Sequence, residues 1–121
     1  MKKRLASIII ILSLSLALGG CLGPKPVLES YKSTPPSPGS DDPFRIEAVI
    51  TNKGPGDGEV KVDVDLKDKQ SGDIIAADSK KIDLKRDDTK HVLFEIDLPP
   101  SAKNLDPKNI DIEIDAHYPI E

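Results

Sequence analysis

The chain has 121 residues, of which 37% are hydrophobic, with 17 Lys and Arg against 21 Asp and Glu. Setting aside Lys2, Lys3 and Arg4 of an amino-terminal leader leaves 14 basic residues against 21 acidic ones, a formal charge of −7 with His neutral. That supplies core for one small domain, excludes a polytopic membrane protein or a large enzyme with a buried cleft, and repels nucleic acid.

Lys2, Lys3 and Arg4 precede Leu5 to Leu18, a run holding only Leu, Ile, Ala and Ser. A basic start and an uncharged apolar run shorter than the ~20 residues of a lasting membrane span read as a signal peptide. The run ends in Leu18-Gly19-Gly20-Cys21. This resembles a lipobox: an aliphatic residue three before the cysteine, small residues beside it, and a thiol to carry the diacylglyceryl group. Gly19 stands where Ala or Ser is commoner. Cys21 is the single cysteine, so no internal disulfide framework competes for it. Two acyl chains anchor firmly where one is marginal, which makes membrane lipid the first expected partner. The pattern also resembles archaeal surface lipoproteins. In a host with two membranes, Leu22 in place of Asp favours transport to the outer one.

Leu22 to Pro43 contains Pro24, Pro26, Pro35, Pro36, Pro38 and Pro43, with Ser, Thr and Gly filling much of the rest. Such a segment reads as an extended tether, up to about 70 Å long at ~3.1 Å per residue. Pro35 to Pro38 fits a PxxP core, although spacing alone explains the prolines. Val27 to Tyr31 is a short apolar patch that can dock as an added edge strand. The expected division is a signal peptide over 1–20, lipidated cysteine and tether over 21–43, and a folded domain over 44–121.

From Phe44 onward the hydrophobic period is two. Phe44, Ile46, Ala48 and Ile50 alternate with polar or exposed positions, as do Val60 to Leu66, Val92 to Leu98, and Ile110 to Tyr118. These are strands with one dry and one wet face. Ile74 to Leu84 is a fifth, less regular strand, and its polar centre at Asp78 to Lys81 predicts a bulge or split. Asn52 to Gly58, Gln70 to Asp73 and Lys85 to Thr89 read as turns, and Pro99 to Asn109 as a longer connection. No segment has a convincing helix period; Asn104 to Asn109 could make one turn. One-sided strands without helices must face a second sheet, which predicts an all-β fold, a small immunoglobulin-like β-sandwich of five to seven antiparallel strands. A barrel is the alternative closure.

The order of Ile46 to Gly54 (ending Asn52-Lys53-Gly54), then Val64 to Asp68, Gly72, Ile74-Ile75, Leu84 and Val92 to Ile96 resembles the FxLYD-type and CARDB-type domains of bacterial and archaeal envelope proteins. The resemblance spans roughly Phe44 to Leu98. At the FxLYD position this chain reads Val64-x-Leu66-Lys67-Asp68, and the turn before Val92 is Lys85-Arg86-Asp87-Asp88 without glycine. The resemblance implies an Ig-like sandwich and neither catalysis nor a fixed ligand.

The inventory for chemistry is short. No nucleophile–base pair or cofactor motif is visible, and Gly54-x-Gly56-x-Gly58 precedes a strand and lacks the lysine of a phosphate loop. His91 and His117 share parity with the wet faces of their strands. If those strands were neighbours, His91, His117 and Asp115 would gather on one outer face and suit a transition metal. Asp57 and Glu59 beside the glycine loop are the candidate calcium ligands, although two carboxylates fall short of the six to eight oxygens required. Leu93 interrupts the wet face beside His91 and marks a possible contact patch. The expected function is a lipid-anchored extracytoplasmic module, structural or contacting an envelope protein partner, at the cell or outer membrane. The alternative is a metal- or small-ligand-binding surface lipoprotein.

Overall fold

The computed structural model describes residues 23–37 and 39–119. The signal-peptide, lipobox and Cys21 readings lie outside these residues, as does Pro38 of the PxxP core. Six strands follow in chain order: β1 (Pro26–Thr34), β2 (Phe44–Asn52), β3 (Gly58–Asp68), β4 (Ile74–Leu84), β5 (Thr89–Ile96) and β6 (Ile110–His117). They form two three-stranded sheets, β1-β2-β5 and β4-β3-β6, and every pairing is antiparallel. The barrel alternative fails because β1 does not pair with β6, nor β4 with β5.

The period-two pattern becomes the core. Phe44, Ile46, Ala48 and Ile50 of β2 meet Val92, Phe94 and Ile96 of β5 on one sheet, and Val60, Val62, Val64 and Leu66 of β3 lie on the other; all are buried. β2 and β3 are the central strands, so their inward residues are covered from both sides. On the edge strand β6 only Ile110 is buried, and Ile112, Ile114 and Ala116 are partly covered. Burial of this kind supplies ~25 cal/mol per Å² of apolar surface and is the main support of so small a domain.

Three local features differ from the sequence reading. The Val27 to Tyr31 patch docks as an edge strand on β2, but the strand extends to Pro26–Thr34, so this stretch is paired strand rather than extended tether, with a register shift between Leu28 and Ser30. Pro26 opens the strand and Pro35 follows it, so neither interrupts the ladder. The long connection holds two short 3₁₀ turns, Pro100–Ala102 and Pro107–Asn109.

The third difference concerns β4, which runs unbroken through Asp78–Lys81; its irregularity lies instead opposite Leu66 and Lys67, near Ile75. The polar centre survives because β4 is an edge strand. Lys80 pairs with Val62 and therefore has inward parity, yet it leans across the seam between the sheets. There its ammonium donates to the Leu93 carbonyl of β5 and sits 5.5 Å from the centre of the Phe94 ring. An inward lysine at a sheet edge satisfies an open carbonyl and blocks pairing by another chain.

Among the described residues one polar side chain lies fully inside. Asn52, at 0% exposure, ends β2. Its Oδ1 accepts from the Lys25 and Gly54 N–H groups, both at 2.9 Å, and its Nδ2 donates to the carbonyls of Gly56 at 2.8 Å and Leu84 at 3.2 Å. The Gly54 bond closes an Asx turn, and the others tie three segments to one amide. Among the described residues no buried side-chain polar atom lacks a partner. Gly54 follows from the same crowding: a Cβ there would lie 2.6 Å from the Gly23 carbonyl oxygen and 2.6 Å from the Lys25 nitrogen.

Candidate metal centre

The outer face of the β4-β3-β6 sheet holds the chemistry. Strand alternation sends Glu59, Lys61, Asp63, Asp65 and Lys67 of β3 outward, and the register sets Asp83 and Lys81 of β4 and His117, Asp115, Glu113 and Asp111 of β6 beside them. That face carries seven carboxylates against three lysines with His117 neutral. Its field draws cations toward it.

Within this face the register places Asp63 directly opposite Asp115 and Lys61 opposite His117. Like charges directly opposite on paired strands repel, so Asp63 and Asp115 gain from a hydrogen-bonding group or a cation between them. The His117 imidazole reaches into that gap. Its Nδ1 lies 2.8 Å from Asp115 Oδ2 and 3.7 Å from Asp63 Oδ2. One ligand atom from each of Asp63, Asp115 and His117 falls within 4.8 Å of the others. Among the described residues this is the group of three His, Cys, Asp or Glu side chains that converges so closely.

The remaining contacts orient Asp63. Ser79 Oγ donates to Asp63 Oδ1 at 2.5 Å, which leaves Oδ2 directed at the imidazole. Lys61 Nζ stands 3.7 Å from the same Oδ1 and competes for its charge. Asp63 and His117 side chains are each about one-third exposed and Asp115 is 75% exposed, so the cluster is reachable from solvent. Farther along the face, Lys67 donates to Glu113 at 2.9 Å, and that carboxylate, with Asp65 and Asp111, holds the ammonium above its ordinary pKa. In the far half of the face Lys67 thus offsets one of three carboxylates, Glu113, and stands between the other two.

One imidazole nitrogen and two carboxylate oxygens are a donor set for a borderline divalent ion such as zinc. With bonds of ~2.0–2.2 Å, neighbouring ligand atoms in a tetrahedral zinc site are about 3.3 Å apart. The Nδ1 distances of 2.8 and 3.7 Å bracket that spacing. Binding requires Nδ1 to present its lone pair in place of a hydrogen and the three ligand atoms, within 4.8 Å of one another, to close to that spacing, with a fourth position left to water.

The other sequence candidates lie elsewhere. His91 is on β5, in the opposite sheet from His117, because β5 pairs with β2 and β6 with β3. The trio of His91, His117 and Asp115 is therefore not assembled; His91 instead faces Glu47, with Nδ1 3.6 Å from Oε2. Asp57 accepts the Arg86 backbone N–H at 2.7 Å, a turn-capping role, while Glu59 sits opposite Asp83 on β3. Asp63 is the residue the sequence reading missed. Its parity with Lys61 placed it on a wet face, but only the β3–β6 register brings it to His117. Leu93 is 47% exposed on the outer face of the β1-β2-β5 sheet, opposite Glu47.

No family model matches this chain, and neither a curated protein nor a solved structure matches it. Among the described residues no helix is long and apolar enough to cross a membrane.

Proposed function

We propose that this chain is a lipid-anchored, extracytoplasmic β-sandwich module that binds a divalent transition-metal ion through Asp63, Asp115 and His117. The observation that carries the reading is the register of β3 on β6, which sets two carboxylates face to face and lodges an imidazole between them. The anchor rests on the basic start, the apolar run and Leu18-Gly19-Gly20-Cys21. The Ig-like assignment rests on the resemblance of Phe44 to Leu98 to FxLYD-type and CARDB-type modules, with which two facing antiparallel sheets are compatible. The protein acts here as a binding module rather than an enzyme, holding or presenting the ion at the cell surface.

A zinc titration of the full chain in detergent, followed by melting temperature, tests the metal reading. One equivalent of zinc raises the melting temperature of the parent chain, because an ion held by the folded state alone stabilises it. The shift disappears in His117→Ala and Asp63→Asn and grows in Lys61→Ala, which removes the competing cation. An equal shift in all four proteins would refute the site.

A second reading, contact with an envelope protein through the β1-β2-β5 sheet, is favoured by Leu93. That side chain is an exposed apolar group between the Arg45–Glu95 and His91–Glu47 pairs. Crosslinking in envelope membranes that survives Leu93→Asp unchanged would dispose of it.

A further inference from the structure

The two ends of the sandwich differ in chemistry. At one end lie the chain entry at Gly23, the glycine loop after β2 and the exit of β6. A groove of about 370 Å³ there is lined by Gly23, Pro24, Lys25, Lys53, Pro55 and Tyr118. Tyr118 is 42% exposed, and Lys25, Lys53 and Pro55 are exposed around it. The other end has a cavity of about 310 Å³ bordered by Asp41, Asp42 and Asp97, with Lys103 paired to Asp41.

The chain entering the first end has no slack. Pro24 is buried, the Lys25 N–H is held by Asn52, and the Lys53 N–H donates to the Lys25 carbonyl at 2.9 Å. Gly23 lies so close beneath Tyr118 that a Cβ would come within 2.4 Å of the ring. Leu22 alone separates Gly23 from Cys21. Two residues span at most about 7 Å.

We infer that this end, with Tyr118, Pro55, Lys25 and Lys53, seats on the surface of the phospholipid bilayer that carries the Cys21 anchor. The inference rests on the lipid-anchor reading and adds an orientation to it. A cysteine acylated in the headgroup region leaves the Gly23 end nowhere to go but against the lipid. A tyrosine with an apolar ring and a polar tip suits the interface, and Lys25 suits anionic headgroups, while Lys53, 3.3 Å from Glu29, must exchange that carboxylate for a headgroup phosphate. At the same end the turn Lys85 to Asp88 carries both signs, and the exposed Asp57 and Asp83 add negative charge, so the attraction is local to the groove around Tyr118. The acid-lined end then points away from the membrane. His117, one residue before Tyr118, brings the metal face down to the lipid surface.

The test uses the full lipidated chain in vesicles of phosphatidylcholine and phosphatidylglycerol, with brominated phosphatidylcholine as quencher. The chain has no tryptophan, so each substitution introduces a single reporter. Emission from Tyr118→Trp, and independently from Pro55→Trp should the first fold poorly, is expected to shift to the blue and to be quenched by brominated lipid. Ser71→Trp, in the β3–β4 turn at the opposite end, is expected to show neither change. Adding Lys25→Glu and Lys53→Glu should abolish the quenching while the protein still floats with the vesicles. Floating protein whose Tyr118→Trp and Pro55→Trp reporters remain unquenched would overturn the orientation alone. Failure of the parent chain to float would overturn the anchor and the orientation together.

Discussion

Replacing Asn52 by alanine tests how far one buried amide holds the sandwich end together. The substitution removes four hydrogen bonds. The Gly54 N–H and the Leu84 carbonyl are left in buried positions, whereas the Lys25 N–H and Gly56 carbonyl are part-buried and regain water. A buried polar group left without a partner costs about 1–3 kcal/mol. Two such groups, with some relaxation of the loop, give an expected loss of about 3–5 kcal/mol. Small domains have about 5–15 kcal/mol in total, so the variant should stand near the edge of folding. For a chain of this size the same loss lowers the melting temperature by more than about 12 °C. Urea unfolding followed by far-ultraviolet circular dichroism measures it. Asn52→Asp sharpens the test at neutral pH, because it keeps the shape but directs a second acceptor at the Gly56 and Leu84 carbonyls. A loss below about 1 kcal/mol for either variant would refute the argument, since no buried partner would then have been orphaned.

Other outcomes follow from the same structure. Phe94→Ala should cost about 3–5 kcal/mol in urea unfolding, because Phe94 is fully buried and its removal leaves a cavity. Glu95→Ala on the opposite face of that strand should stay within about 0.5 kcal/mol, since its 2.9 Å pair with Arg45 is half-exposed. Lys80→Ala should cost about 1 kcal/mol and, by freeing the Leu93 carbonyl at the β4/β5 seam, promote self-association visible in sedimentation velocity. Gly54→Ala should lose about 1–3 kcal/mol by melting temperature, because its Cβ would push against backbone rather than against a movable side chain.

Strand parity was legible because it depends on each residue's neighbours along the chain. Phe94, Ile46 and Val62 lie inside, and Glu95 and Lys61 outside, as alternation requires. The partner of each strand was not legible, since alternation is blind to which strand lies alongside. His91 and His117 have equivalent parity, yet they belong to different sheets, and Asp63 enters the cluster only through the β3–β6 register. Polar residues misled in two places. Asn52 looks like a loop residue until its four partners are seen, although an asparagine two residues before a glycine is the local signal of an Asx turn. Lys80 looks like a break in β4, but an edge strand can hold a lysine whose long stem crosses the seam. Prolines misled in the other direction: those at 24, 26, 35 and 36 bracket β1 rather than dissolve it.

The central claim is that the metal binds at one place on one sheet. Amide chemical shifts of the ¹⁵N-labelled full chain in detergent micelles, recorded through a zinc titration at pH 7, locate it most directly. Zinc should move the resonances of residues 61–63, 79 and 115–117 in one saturating step at one equivalent, and leave residues 41, 42 and 97 of the acidic end unmoved. Shifts spread over exposed carboxylates in proportion to charge, with His117 no more affected than His91, would contradict the claim.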